Sequence, residues 1–172
     1  QIAFVPQNPM TALDPSRKIG VQMAEFLRLH QRVRKKDMLC LCEQAIIQAG
    51  LTDTKRVLNS RPYQLSGGML QRVLIALAIA GKARLVIADE PTTALDAVHR
   101  DQAVEQFLKL REQGCAILIV THDFDVARHM GGHVLIMKEG RMVERGSAKE
   151  VLKNPKAGYT KELIEAIHLG WG

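Results

Sequence analysis

Residues 63–96 read YQLSGGMLQRVLIALAIAGKARLVIADEPTTALD and contain two elements that decide the fold. Ser66 precedes two glycines and a long apolar segment, which predicts an N-capped helix. The apolar run Leu85–Ala88 predicts a buried strand, and the acids Asp89 and Glu90 follow it directly. A helix start with two glycines and a strand end with two acids thus lie within one short stretch of the sequence. Both are features that a site for phosphate chemistry needs.

The rest of the chain alternates short apolar strands with longer helices. Further strands are predicted at residues 2–6, 116–120, 133–138 and 141–145, and further helices at 19–29, 38–49, 97–113, 124–130 and 160–167, with a short capped helix from Ser147. Asp37 is the expected N-cap of the helix at 38–49. This alternation predicts an α/β fold with a mostly parallel sheet.

We expect four segments along the chain. Residues 1–15 would be the end of a core strand and a loop, 16–80 an inserted helical subdomain, 81–146 an α/β catalytic core, and 147–172 a C-terminal helical extension. The second segment is helical throughout, although the sheet resumes after it, which is why we interpret it as an insertion.

Composition excludes several classes of protein. The net charge is +6, with one short basic cluster at residues 32–36 that is typical of an exposed helix end or loop. Aromatic residues make up 4%, which argues against a protein that stacks nucleic-acid bases, and we expect no nucleic-acid partner. The longest apolar runs are too short to span a membrane. Three cysteines fit free thiols, and their spacing supports no metal site.

The acids after the predicted strand suggest hydrolytic chemistry. Asp89 could hold Mg²⁺, directly or through water, and Glu90 could orient and deprotonate an attacking water. Ser66, Gly67 and Gly68 begin a helix, where free N–H groups and the helix dipole favour an anion. The alternative readings are an acidic strand-to-loop turn and a simple flexible helix cap.

Three further motifs lie at strand ends or next to them, and together the five resemble the ATP-binding subunits of ABC transporters. Their order along the chain is Gln7 (Q-loop), Leu65–Gln71 (signature), Leu85–Glu90 (Walker B), Ala94–Asp96 (D-loop) and His122 (H-loop). The resemblance covers essentially the whole chain and implies a core like that of the P-loop NTPases.

The resemblance also implies cofactors and residue roles. ATP and Mg²⁺ would be the cofactors, with Asp89 and Gln7 at the metal and Glu90 as the catalytic base. His122 would contact the γ-phosphate, and Gln7 would link the metal and the attacking water to the membrane partner. The residues expected to bind nucleotide or to lie at the dimer interface are Ser66, Gly67, Gly68, Gln71 and Asp96.

Partners and location follow from the same resemblance. These subunits pair head to tail with a second ATPase subunit, identical or different, and dock on transmembrane permease subunits. A solute-binding protein would act on them only indirectly. The subunit would be a peripheral protein on the cytoplasmic face of the inner membrane.

No phosphate-binding loop of the form G-x-x-x-x-G-K-[ST] occurs in the 172 residues; Gly81-Lys82 is followed by Ala83. In the family this loop precedes the Q-loop, so we expect the core to be incomplete at its N-terminus and this chain alone to be inactive.

The motifs look most like the importer branch that handles peptides, nickel and opines. "QNPMTALDP" at residues 7–15 and "NPKAGYTKELIEAI" at 154–167 carry this likeness, whereas Leu70 departs from the basic residue usual there. Two alternatives stay open: a truncated, inactive remnant or regulatory partner, and a DNA-repair type of ABC ATPase. The latter would carry a coiled-coil or zinc-bearing insertion between Gln7 and Ser66, and the sequence has neither pattern there.

Overall fold

The computed structural model describes residues 1–31, 33–93, 95 and 97–169. They form two compact units, Gln1–Thr121 and His122–Gly172. Each unit has its own sheet: three parallel strands in the first and an antiparallel hairpin in the second. Among the described residues, none of the helices combines the length and apolar composition that crossing a bilayer requires.

The first unit is organised by the parallel strands β1 (Ile2–Val5), β2 (Leu85–Asp89) and β3 (Ala116–Val120). They lie in the order β1-β2-β3, so that β2 pairs with both neighbours. The parallel sheet predicted from the alternating pattern is confirmed.

The described residues of this unit form five α-helices: α1 (Ile19–His30), α2 (Met38–Gln48), α3 (Thr54–Asn59), α4 (Gly67–Ala80) and α5 (Ala97–Glu112). Helix α1 is amphipathic, and its residues Ile19, Met23 and Leu27 recur at a spacing of four and are fully buried. Helix α4 is apolar on nearly every side because it packs against β1, α2 and α5.

The two faces of the parallel sheet differ in burial. Val5, Val86 and Ala88 are at most 1% exposed and belong to the core, against which α4 packs. The opposite face carries apolar side chains that stay accessible: Ile2 is 70%, Phe4 58%, Leu118 48% and Val120 53% exposed. Parallel sheets in folded proteins are normally covered on both sides, so this face is unusual.

The second unit consists of α6 (Phe124–Met130), the hairpin β4 (His133–Lys138) and β5 (Arg141–Ser147), α7 (Ala148–Lys153) and α8 (Gly158–Leu169). The hairpin turn has positive φ at Glu139 (49°) and Gly140 (74°), the handedness that matches the twist of the strands. Ser147 caps α7, since its hydroxyl accepts a hydrogen bond from the Glu150 N–H at 3.2 Å.

Two details differ from the sequence predictions. Helix α3 was not predicted, because a six-residue helix is too short for a periodic pattern to be recognised. Asp37 does occupy the N-cap position of α2, but its side chain makes no capping hydrogen bond. Its carboxylate instead pairs with Arg34 Nε at 3.0 Å.

The two cysteines of α2 should differ sharply in reactivity. Cys40 is exposed, whereas Cys42 is 2% exposed. Burial, helped by the nearby Glu43 charge, raises the pKa of the Cys42 thiol to about 11. The thiolate is the reactive form, so a short treatment of the native chain with iodoacetamide at neutral pH should label Cys40 and spare Cys42.

Peptide mass mapping measures the two labelling levels, and the same treatment in urea, where both thiols should react, is the control. Equal labelling in the native chain would contradict the burial of Cys42.

Candidate functional site

The acidic residues lie at the carboxyl edge of the parallel sheet. Asp89 is the last residue of β2 and pairs with Val120 of β3, and Glu90 follows it. Val5 lies opposite Ala88, so Gln7 leaves β1 at the same edge at which Glu90 leaves β2. The register therefore places the predicted residues Gln7, Asp89 and Glu90 at one edge, where α/β sheets bind their ligands.

Glu90 has a strained backbone. Its φ is 45°, a left-handed conformation that is uncommon for a residue with a side chain. Its N–H donates to the Val120 carbonyl at 2.8 Å, which continues the β2–β3 pairing one residue beyond the strand. Strain of this kind costs on the order of 1–3 kcal/mol and clusters at functional sites.

The Glu90 carboxylate is held by Thr93. The Thr93 hydroxyl donates to Glu90 Oε2 at 2.9 Å. The sequence reasoning missed Thr93, although its place three residues after an acid at a Pro-containing turn was a usable signal. This bond orients the carboxylate without neutralising it.

The N-terminus of α4 is open on one side and closed on the other. The Ser66 hydroxyl accepts a hydrogen bond from the Met69 N–H at 3.3 Å, which confirms the predicted cap. A Cβ added at Gly67 would meet nothing within 4 Å, whereas one at Gly68 would lie 3.1 Å from Leu95 Cδ2. A side chain at position 68 would therefore press against Leu95, whereas Gly67 leaves room beside free helix N–H groups for an anion.

Gln71 joins this helix to the acidic loop. Its side chain is 5% exposed, and its amide Nε2 donates to the carbonyl of Pro91. Because Pro91 directly follows Glu90, the bond couples the position of α4 to that of the acids. Direct contact between Gln71 and a nucleotide stays a prediction.

The loop after Gln7 is tied to α1. The Asn8 side chain accepts a hydrogen bond from the Met10 N–H at 3.1 Å. Gln22 of α1 binds the backbone of Asp14 twice, accepting from its N–H at 2.8 Å and donating to its carbonyl at 3.0 Å. Hydrogen bonds from the Ser16 hydroxyl and N–H to the Asp14 carboxylate close a local turn in this loop and lower the pKa of the Asp14 carboxyl.

Two predicted site residues are not among the described residues of the first unit. His122 is exposed and is the first residue of the second unit. Asp96 and Ala94, predicted to belong to the D-loop, lie outside the described residues. Within the described part of the chain, no group of three His, Cys, Asp or Glu residues could hold a metal ion. Mg²⁺ held by one or two carboxylates together with phosphate oxygens does not need such a group.

Comparison with known proteins agrees with this geometry. The family profile described as ABC transporter matches residues 1–93, more than half of the chain. The chain belongs to the ABC transporter family. The resemblance drawn from its motifs is confirmed.

Curated ABC relatives are longer than this chain. It is 40% identical to the metal-staphylopine import system ATP-binding protein CntD of Staphylococcus aureus, over 95% of this chain and 60% of that protein. It is also 40% identical to the oligopeptide transport ATP-binding protein OppD of Lactococcus lactis, over 96% of this chain and 49% of that protein. The chain thus spans about half to three-fifths of the length of these relatives.

Solved structures match the fold. A dimeric, post-hydrolysis structure of the ATP-binding cassette MJ0796 bound to ADP and Pi has a TM-score of 0.76 at 30% identity, covering 86% of this chain and 63% of that one. The structure of cbiO1 from Clostridium perfringens, part of the ABC transporter complex cbiONQ, also has a TM-score of 0.76, at 26% identity, covering 98% and 63% of the two chains. The fold is the α/β fold of ABC cassettes.

Replacing Gln71 by Met should destabilise the chain by about 1–3 kcal/mol, because the Pro91 carbonyl would lose its donor within the protein interior. Urea unfolding followed by circular dichroism measures the change. Gln44→Met on the exposed side of α2 is the matched control and should change stability by less than about 0.5 kcal/mol. Equal stability of the two variants would show that the Gln71–Pro91 bond contributes nothing.

Proposed function

We propose that this chain is a fragment of the ATP-binding subunit of an ABC importer, whose complete form hydrolyses ATP to energise solute uptake. The proposal rests on one hydrogen bond that connects the signature motif with the loop after the Walker B motif. The buried Gln71 of α4 holds Pro91, and the acids Asp89 and Glu90 directly precede Pro91 at the sheet edge. Hydrolysis of a phosphoanhydride needs such positioned charges more than it needs covalent catalysis.

Asp89 and Glu90 would have different roles at this edge, metal binding and base catalysis. Asp89 would hold Mg²⁺, which when bound neutralises charge on the phosphate oxygens. Glu90 would orient and deprotonate water as the catalytic base, with its carboxylate aimed by the Thr93 hydroxyl. Gln7, from the neighbouring strand, would contribute to the metal site and connect it to the loop that Gln22 of α1 clamps.

The start of α4 fits an anionic phosphate. Ser66, Gly67 and Gly68 would cover the ATP bound to a second subunit, and the open space at Gly67 supports this. Gln71 would act as a positioning residue, because it holds Pro91 next to the two acids. His122 would contact the γ-phosphate, and Asp96 would lie at the dimer interface.

The proposed assembly is a head-to-tail pair of ATPase subunits, identical or different, beneath transmembrane permease subunits. Residues 16–80 would form the helical subdomain that docks on the permease, 81–146 the catalytic core, and 147–172 a C-terminal extension. A solute-binding protein would deliver the solute. The subunit would lie on the cytoplasmic face of the inner membrane.

Peptides or nickel are the proposed cargo. The name of one relative, a metal-staphylopine importer component, supports a metal cargo, and that of the other, an oligopeptide transporter component, supports a peptide cargo. A DNA-repair type of ABC ATPase has less support, because the described helices between Gln7 and Ser66 are only 12, 11 and 6 residues long.

Glu90→Gln in the complete subunit, assembled with its partners, should lower ATP turnover by at least about 100-fold and leave ATP binding intact, because the amide cannot accept the proton. Phosphate release measures turnover, and a fluorescent nucleotide measures binding. Glu112→Gln at the exposed end of α5 is the control and should retain full turnover. Normal hydrolysis by the Glu90 variant would remove this residue from the base role.

The 172-residue chain by itself should bind ATP weakly or not at all, since it contains no G-x-x-x-x-G-K-[ST] loop to hold the β- and γ-phosphates. Isothermal titration with Mg·ATP tests this, and micromolar affinity would contradict it.

The intact mass of the polypeptide in its source cell separates the importer-subunit hypothesis from the hypothesis of an inactive remnant or regulatory partner. A longer polypeptide with that loop supports the importer subunit, whereas a polypeptide of these 172 residues supports an inactive remnant or regulatory partner.

A further inference from the structure

The connection between α1 and α2 carries exposed basic and apolar side chains together. We call this region the basic tip and define it by Arg28, Leu29, Arg34, Lys35, Lys36 and Leu39. Leu29 is 77% and Leu39 63% exposed, and the Arg34 side chain is 75% exposed. The basic tip therefore combines two accessible apolar side chains with several cationic ones.

The charge of the basic tip is largely unbalanced. Arg34 pairs with Asp37 at 3.0 Å, but Lys35 and Lys36 have no carboxylate partner among the described residues. The nearest acid of α1, Glu25, is already paired with Arg17 at 2.6 Å. The region therefore presents a net positive charge.

The structure holds the basic tip at the end of the sheet opposite to the candidate site. Gln1, just before β1, donates through its side chain to the His30 carbonyl at 2.9 Å, and its own carbonyl accepts the Arg84 N–H at 3.0 Å. Gln31 donates to the Ala80 carbonyl at the end of α4. These bonds fix the end of α1 beside the amino-terminal ends of β1 and β2, whereas Asp89 and Glu90 lie at the carboxyl ends.

Close packing between α1 and the end of α4 supports this placement. A Cβ added at Gly81 would lie 2.8 Å from Phe26 Cε1, so only glycine lets the α1 ring approach the end of α4. The loop is ordered further by the Asp37 N–H, which donates to the Arg34 carbonyl at 2.9 Å. A surface already ordered loses little entropy when a partner binds to it.

We propose that the basic tip rests on a bilayer surface that contains anionic lipids. Lysine and arginine would bind the headgroup phosphates while Leu29 and Leu39 enter the interface between headgroups and acyl chains. A nucleic acid would use the charges but not the leucines, and an acidic protein would need an apolar patch of its own to cover them. The proposal adds a direct lipid contact to the proposed function and requires no nucleotide, so the two can fail separately.

Co-sedimentation of the 172-residue chain with vesicles tests this contact. Wild type should bind phosphatidylcholine vesicles that contain phosphatidylglycerol and should not bind pure phosphatidylcholine. The variant Arg34→Gln/Lys35→Gln/Lys36→Gln should bind about five-fold more weakly per charge, on the order of 100-fold in total. Its matched control, Lys149→Gln/Lys153→Gln/Lys156→Gln, removes three exposed charges elsewhere and should bind like wild type.

A second pair of variants tests the contribution of the two leucines of the basic tip. Leu29→Ser/Leu39→Ser should weaken binding by about tenfold or more, since two side chains lose their insertion. Val21→Ser/Ile47→Ser, at positions 45% and 59% exposed, should have no such effect.

Circular dichroism confirms that each variant is folded. Equal loss in a variant and its control, equal binding to both kinds of vesicle, or binding to an oligonucleotide or polyglutamate but not to vesicles would each overturn the proposal.

Discussion

The pairing of β2 with both neighbouring strands is the constraint on which the first unit depends. It places Val86 and Ala88 in the core and brings the ends of three strands to one edge. Because all three strands are parallel, the chain must return after each strand to the end of the sheet at which the next one begins. Helices make these crossovers. The long crossover from β1 to β2 contains α1 to α4, the helices that carry both the candidate anion site and the basic tip.

Polar contacts then fix what the sheet brings together. The Gln71–Pro91 hydrogen bond couples the start of α4 to the acidic loop, and the Glu90 N–H extends the sheet pairing to the acid itself. The left-handed backbone at Glu90 is tolerated because it is held on both sides in this way. A site built by such contacts is already arranged before any ligand arrives, which is what electrostatic catalysis requires.

Apolar exposure on the parallel sheet is a second consequence of its construction. Ile2, Phe4 and Leu118 line one face at 70%, 58% and 48% exposure, and no described residue covers them to the degree usual for a parallel sheet. The basic tip differs from this face, because its leucines lie among charges instead of forming a continuous apolar surface. A bare sheet face requires packing, whereas mixed basic and apolar side chains are suited to a lipid interface.

The amino-acid sequence by itself determined the strands, the longer helices, the Ser66 cap and the order of the motifs. These depend on local periodicity and on capping residues, which can be read without knowing any distant contact. It also singled out Asp89 and Glu90 as candidate site residues, since two acids that follow a buried strand are unusual.

Only the tertiary structure decided how distant residues meet. The sequence could not predict that Gln71 is buried against Pro91 or that Gln31 donates to the Ala80 carbonyl. Nor could it place the basic tip opposite the acids, because that depends on which strand ends lie next to which helix ends. Side-chain geometry across the fold decides such contacts, and a local pattern carries no information about it.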